Sequence, residues 1–417
     1  MAVVLTLFGM AACSATASAP THTSTQASEP QSQELNPNNA DGYVERGNIC
    51  HEEGEKTNAI ANFCKAIELN PKLATAYVGR GNVYYEQGEK AKAFNDYSKA
   101  IELNHNYVDA YYNRGLAYNH QGERTKAIND LSKAINLNPN YADAYYSRGI
   151  VYDEQGQKTK ALNDYTKAIE LNPNYADVYY NRGIVYNEQG EKTKSINDFS
   201  KAININPNYA LSYYSRGLVY YEQSEKTKAF NDFSKTIELN PNYADVYYSR
   251  GLVYNDQGKK TKAIADYTKA IELNPNYALA YVNRGLVYND QAEKVKAIAD
   301  YSQAIAVDPN LALAYNNRGR AYHNQGEKRK AINDLSKAIE LNPNYAIAYY
   351  NRGLAYSGLE DKESAIQNYQ KAANLFKQEG KISEYENAVS QIKYLSESRY
   401  LGGWNRFYTN KVLAEGD

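Results

Sequence analysis

Cysteine is scarce in this chain, with three among 417 residues and none in Cys-x-x-Cys or similar spacing. That excludes a disulfide framework and a thiolate metal site. Tryptophan occurs once and methionine twice. Neither sign of charge dominates: 47 Lys and Arg against 48 Asp and Glu give a net charge of −1, without the bulk positive footprint that nucleic-acid binding requires. The five histidines (His22, His51, His105, His120, His323) never pair at i+3 or i+4, so no metal site is written here. Glycines recur singly, without a phosphate loop, and no carboxylate pair stands out as a general acid and base. The expectation is a non-enzyme with no cofactor and no metal. Proline is also rationed, because eight of the eleven recur at one position of a repeating unit and three precede it. What is abundant is tyrosine, at 43 residues against 8 Phe, within a hydrophobic fraction of 43% that suffices for a core.

The dipeptide Arg-Gly recurs ten times at a strict spacing of 34 residues, from Gly47 to Gly353. With each Gly as position 8, ten repeats run from 40 to 379. Within a repeat such as 108–141, apolar residues return at helical spacing twice, with Tyr111, Gly115 and Tyr118 on one face, then Ala127, Leu131 and Ala134. Two short helices per repeat follow. Gly122 suits the turn between them, Pro139 ends the second, and Asn140 is placed to cap the next helix with Asp143 three residues on. One such pair cannot bury its own apolar face, so the repeats must stack into a solenoid.

Aromatic residues at position 4, Gly at 8, Tyr at 11, Ala at 20, a large residue at 24, Ala at 27 and Pro at 32 together resemble the tetratricopeptide repeat family over 340 residues. The departures are Cys50 at position 11, Ser195 at 20, Thr236 at 27, and His105 and Lys377 at 32. The resemblance implies an all-α, right-handed superhelical solenoid of antiparallel helix pairs. Position 7, usually Leu in the family, is Arg in every repeat here. Asp stands at position 23 in eight of them, and the pattern predicts a ladder of Arg–Asp pairs that is structural. Residues 380–397, with Ile382, Tyr385, Ala388, Ile392 and Leu395, are expected to form a capping helix, and 398–417 a frayed or docking tail. Cys50 and Cys64, one on each helix of repeat 1, either approach each other or are two small core thiols.

Residues 1–13 read as an export signal: the apolar run 2–12 is too short to span a bilayer, and Met10-Ala11-Ala12-Cys13 resembles the lipobox of bacterial lipoproteins. No Lys or Arg precedes Arg46, and plain secretion after Ala17 or Ala19, or no export, are the alternatives. Residues 14–39, rich in Ser, Thr, Pro and Gln, fit a flexible tether. The expected location is the cell envelope, with membrane contact only through a lipid on Cys13.

By resemblance, ligands lie along the concave face of the first helices, at positions 2, 5, 6, 9, 12 and 13. The predicted groove carries Tyr112, Tyr146, Tyr180, Tyr214 and Tyr248 at position 5, and Leu116, Ile150, Ile184, Leu218 and Leu252 at position 9. Asn119, Asn187 and Asn255 stand at position 12, and Glu154, Glu188 and Glu222 at 13. The two-carboxylate clamp of chaperone-binding members is not reproduced, since Asn48 and Asn82 match at position 9 but Val44 and Val78 stand at 5. The reading is a protein-interaction scaffold whose partner is a protein or peptide with apolar anchors and basic flanks. A polysaccharide stacked on the tyrosines is the alternative. Duplication alone would also make the repeats alike.

Overall fold

The computed structural model describes residues 39–412, and every regular element in them is an α-helix. Each repeat is a helix of 12 or 13 residues, a tight turn and a second helix, as in Val108–His120 and Arg124–Leu137. The chain forms two compact units, Met1–Ser224 and Glu225–Asp417. The first holds repeats 1–5 and the first helix of repeat 6, Ala210–Glu222. The second holds the partner helix Lys226–Leu239, repeats 7–10 and a C-terminal helix.

Close helix approach is set by the Gly at position 8. A Cβ on Gly149 would lie 2.6 Å from the Tyr165 ring, and one on Gly115 would lie 2.9 Å from Leu131 Cγ. The large residue at position 24 therefore lies flat on the glycine, and Ala127, Leu131 and Ala134 are fully buried, as their spacing predicts. Turn glycines such as Gly122 (φ 76°) take the left-handed conformation. Ser224, Ala292 and Glu360 adopt it without being glycine, at φ 62°, 61° and 65°.

The joint between repeats differs from the predicted cap. Asn140 does not cap the helix that starts at Ala142; its own amide donates to Asn138 Oδ1 at 3.1 Å. The same Asx turn recurs at the other joints, for example Asn172 with Asn174. The N-cap residue is Tyr141, with no side-chain cap bond. Its ring turns inward instead, 5.0 Å from that of Tyr112.

The predicted Arg–Asp ladder is present. Arg80, Arg114, Arg148, Arg182, Arg250, Arg284 and Arg318 each bind, through Nε and Nη2, both oxygens of the Asp sixteen residues on. Arg352 meets Asn368 instead at 2.8 Å. A second contact was not foreseen: Nη1 donates to the residue sixteen positions earlier, such as Ser132 for Arg148 (2.9 Å) and Thr166 for Arg182 (3.1 Å). Each guanidinium thus ties the second helix of its own repeat to that of the preceding one. The tyrosines at positions 4 and 11 enclose it, with Tyr145 and Tyr152 centred 5.7 and 5.8 Å from Arg148. Burial works against the Arg148 charge, but the Asp164 bonds more than offset it and its pKa moves up.

Cys50 and Cys64 do not pair. Cys64 Sγ accepts from Arg80 Nη1 at 3.3 Å, and Cys50 Sγ from Asn62 at 3.7 Å. The C-terminal helix runs Ile382–Val412, past the expected end at 397, since no proline interrupts it. Ala388 and Leu395 are buried on it, Leu395 against Ala365 and Tyr369 of the last repeat. No described helix is long and apolar enough to cross a membrane. Cys13 and the tether through residue 38 lie outside the described residues.

Candidate binding surface on the first helices

The position-5 tyrosines do not line an open groove. Tyr112, Tyr180, Tyr214 and Tyr248 are 5%, 3%, 1% and 0% exposed, and Tyr146 is half-buried. Two facing groups draw these rings inward. Within a repeat, Tyr146 packs 5.1 Å from Tyr175, Tyr180 5.2 Å from Tyr209 and Tyr248 5.0 Å from Tyr277. Across the joint, the hydroxyls meet position 6 of the next repeat: Asn181 Nδ2 donates to Tyr146 at 2.7 Å, Asn283 Nδ2 to Tyr248 at 3.0 Å, and Ser147 bonds Tyr112 at 3.4 Å. Burial pushes the Tyr112 hydroxyl up to about 12, with Ser147 acting against it. The expected aromatic ladder is therefore packing between neighbours, and the groove assignment of these five is corrected.

The predicted acids are also engaged. Glu154 meets Arg124 at 3.2 Å, Glu188 meets Lys158 at 2.6 Å, and Glu222 meets Lys192. Each partner lies thirty residues earlier, so these carboxylates form an inter-repeat ion-pair row, not free charges at a groove edge. At position 2, Tyr209 donates to Asp177 at 2.7 Å. Burial raises the pKa of Asp245 while a hydrogen bond from Tyr277 opposes that.

Of the remaining predicted residues, Ile184 and Leu218 are buried, and Leu116, Ile150 and Leu252 are half-buried. Asn187 is buried and accepts from Lys192 Nζ at 2.7 Å; Asn119 and Asn255 are half-buried.

Space opens where the position-5 tyrosine is missing. In repeats 1–3 a hollow of about 580 Å³ has Val44 and Val78 in its lining, with Gly79 at position 6 of repeat 2. Asn48, Asn82 and Asn113 add amides, and Asp41, Glu45 and Asp109 add carboxylates; among the described residues no Lys or Arg is in the lining. Asn82 Oδ1 accepts from Tyr97 Oη and Asn113 Nδ2, both at 3.0 Å, which fixes the amide dipoles. The hollow can take an extended chain bearing a cation, with an apolar floor of valines. Sequence reasoning weighed Val44, Val78, Asn48 and Asn82 only against the clamp pattern and did not single out Asp41, Glu45, Gly79 or Asn113. The available signal was Val in place of Tyr at position 5, next to a glycine.

A family profile described as TPR repeat matches residues 47–88, 81–122, 115–156, 151–190, 185–224, 220–258 and 296–326. Two profiles described as tetratricopeptide repeat match 244–277 with 312–345, and 266–299 with 335–367. Similar solved structures include YrrB, described as a TPR protein with an unusual peptide-binding site, at 27% identity over 44% of this chain and 95% of its own (TM-score 0.39). MamA is 32% identical over 39% and 94% (TM-score 0.37), and yeast Tom70 17% over 87% and 96% (TM-score 0.43). No curated protein matches the chain.

Proposed function

This chain belongs to the tetratricopeptide repeat family, and on that footing we propose that it is a non-catalytic scaffold holding a protein segment with a basic side chain in the hollow of repeats 1–3. One observation carries this reading: three carboxylates and three amides converge on a hollow of about 580 Å³ with no cationic residue among the described residues of its lining. Asparagine amides suit the backbone of an extended segment, the valines accept an apolar anchor, and Asp41, Glu45 and Asp109 select a Lys or Arg. Charges this open to water contribute about 0.2–1 kcal/mol each, so they set selectivity and salt dependence more than raw affinity.

A sugar-stacking surface is not proposed, because the rings of Tyr112, Tyr180, Tyr214 and Tyr248 are buried. The proposed location remains the cell envelope, with a lipid on Cys13 and residues 14–39 as the tether. The test is anisotropy titration of two labelled peptides that differ only in carrying Lys or Glu. The Lys peptide should bind, weaken with salt, and lose affinity in the Asp41→Asn, Glu45→Gln, Asp109→Asn triple variant. Equal binding of the Glu peptide would overturn the reading.

A further inference from the structure

The second unit contains a cavity of opposite character. It has a volume of about 390 Å³ and is lined by Asn289, Asp290, Arg320, His323, Asn324 and Asn351 among others. Arg320 stands at position 9, where the six preceding repeats carry Leu or Ile. The arginines at position 7 are mostly forked onto an Asp, as in Arg318 with Asp334. Arg320, by contrast, makes no hydrogen bond or ion pair among the described residues. A guanidinium carries five donors in a planar fork and needs an acceptor or water for each.

The neighbouring groups leave the cavity short of negative charge. Among the described residues Asp290 is the one acid in the lining, and it faces Lys260 at 3.5 Å. Lys328 lies beside His323, with Nζ 3.4 Å from the His323 carbonyl oxygen to which it donates. His323 Nδ1 is enclosed and without a hydrogen-bond partner. Burial and the Lys328 charge hold its pKa below the ordinary histidine range, which favours the neutral ring. Asn351 Nδ2 gives one of its two hydrogens to Asn316 Oδ1 at 2.9 Å, and Asn289 and Asn324 add further amides to the lining.

We infer that this cavity binds a single carboxylate of a protein partner, held by the Arg320 fork with His323, Asn289 and Asn324 around it. A carboxylate matches the guanidinium fork in shape and charge. A phosphate dianion would bring two negative charges to one unpaired cation beside Asp290. The site is built on positions 9, 12 and 13 of repeats 8 and 9, closed by Asn351 and Leu354 of repeat 10, and has no Lys at positions 2, 5 or 6. It rests on the scaffold reading for the class of partner, but shares no residue with the hollow of repeats 1–3.

The experiment follows the His323 Cε1–H resonance of the full chain, assigned with His323→Asn, during titration of four small probes. Acetyl-glutamate methylamide carries a side-chain carboxylate, acetyl-glycylglycine a terminal one, acetyl-glycinamide none, and phosphoserine blocked as its acetyl methylamide a phosphate alone. At least one carboxylate probe should give a saturable shift, and the better one names the source of the group. Arg320→Leu should raise its Kd at least tenfold with circular dichroism unchanged, since Leu is what neighbouring repeats carry there; Arg320→Gln serves as a second variant. An equal response to the neutral amide, tenfold tighter phosphoserine, no saturation by either carboxylate, or an unchanged Kd in both variants would overturn the inference. Failure of the cationic peptide at the first hollow would leave this titration unaffected, so the two readings fail separately.

Discussion

Asp164→Ala should cost about 2–3 kcal/mol. The substitution removes two charge-assisted hydrogen bonds to Arg148, both 2.8 Å, and strands a cation whose side chain is 17% exposed. Breaking a buried pair from one side costs about 3–5 kcal/mol, chiefly because the remaining charge is uncompensated. Here the loss is smaller, since Arg148 keeps Ser132 Oγ at 2.9 Å, the rings of Tyr145 and Tyr152, and an edge to water. Replacing both partners by apolar residues removes the stranded charge, so Arg148→Leu with Asp164→Leu should lie within about 1 kcal/mol of the parent. The assay is urea unfolding followed by circular dichroism. It should be fitted with a nearest-neighbour scheme, because a repeat array need not unfold in two states. The coupling should also survive high salt, unlike that of the open pair Lys167–Glu170, whose side chains are 45% and 58% exposed. A coupling below about 0.5 kcal/mol, or one lost in salt, would refute the buried-ladder argument.

Ala292→Gly and Glu360→Gly should each stabilise the chain by about 1 kcal/mol in the same assay, by relieving left-handed backbone at φ 61° and 65°. Gly149→Ala should destabilise by about 1–3 kcal/mol, because the added Cβ meets the Tyr165 ring at 2.6 Å. Asp245→Asn should stabilise at pH 7 and be neutral near pH 3. Burial raises the folded pKa of Asp245 above 3.8, so its contribution is full below the unfolded pKa and is lost as pH rises through the folded one; thermal unfolding at the two pH values checks the sign. Metabolic labelling with a fatty acid should mark the parent chain and not Cys13→Ala.

The fold was legible because its determinants are local and repeated ten times. Position-8 glycines, buried alanines and the Arg–Asp spacing each constrain one inter-helix distance, and all recur in register. The site was less legible for a physical reason. Position 5 faces the neighbouring repeat as well as the groove, and a tyrosine there finds both a ring partner at position 34 and a hydrogen-bond partner at position 6. Its burial is decided across the joint, where a single repeat carries no information. The same holds for Glu188, whose partner Lys158 belongs to the preceding repeat. The joint was misread because the Asn140 amide closes an Asx turn on Asn138 Oδ1, and the N-cap position falls one residue later, on Tyr141, whose ring turns inward.

The claim that the open hollow of repeats 1–3 is where a basic segment binds is tested most directly by filling it. Val78→Tyr places the residue of repeats 3–7 into the space beside Gly79. Titration of the Lys-bearing peptide against the parent and this variant should show affinity reduced at least tenfold, with helicity and urea midpoint retained. Unchanged affinity in a folded Val78→Tyr protein would contradict the account.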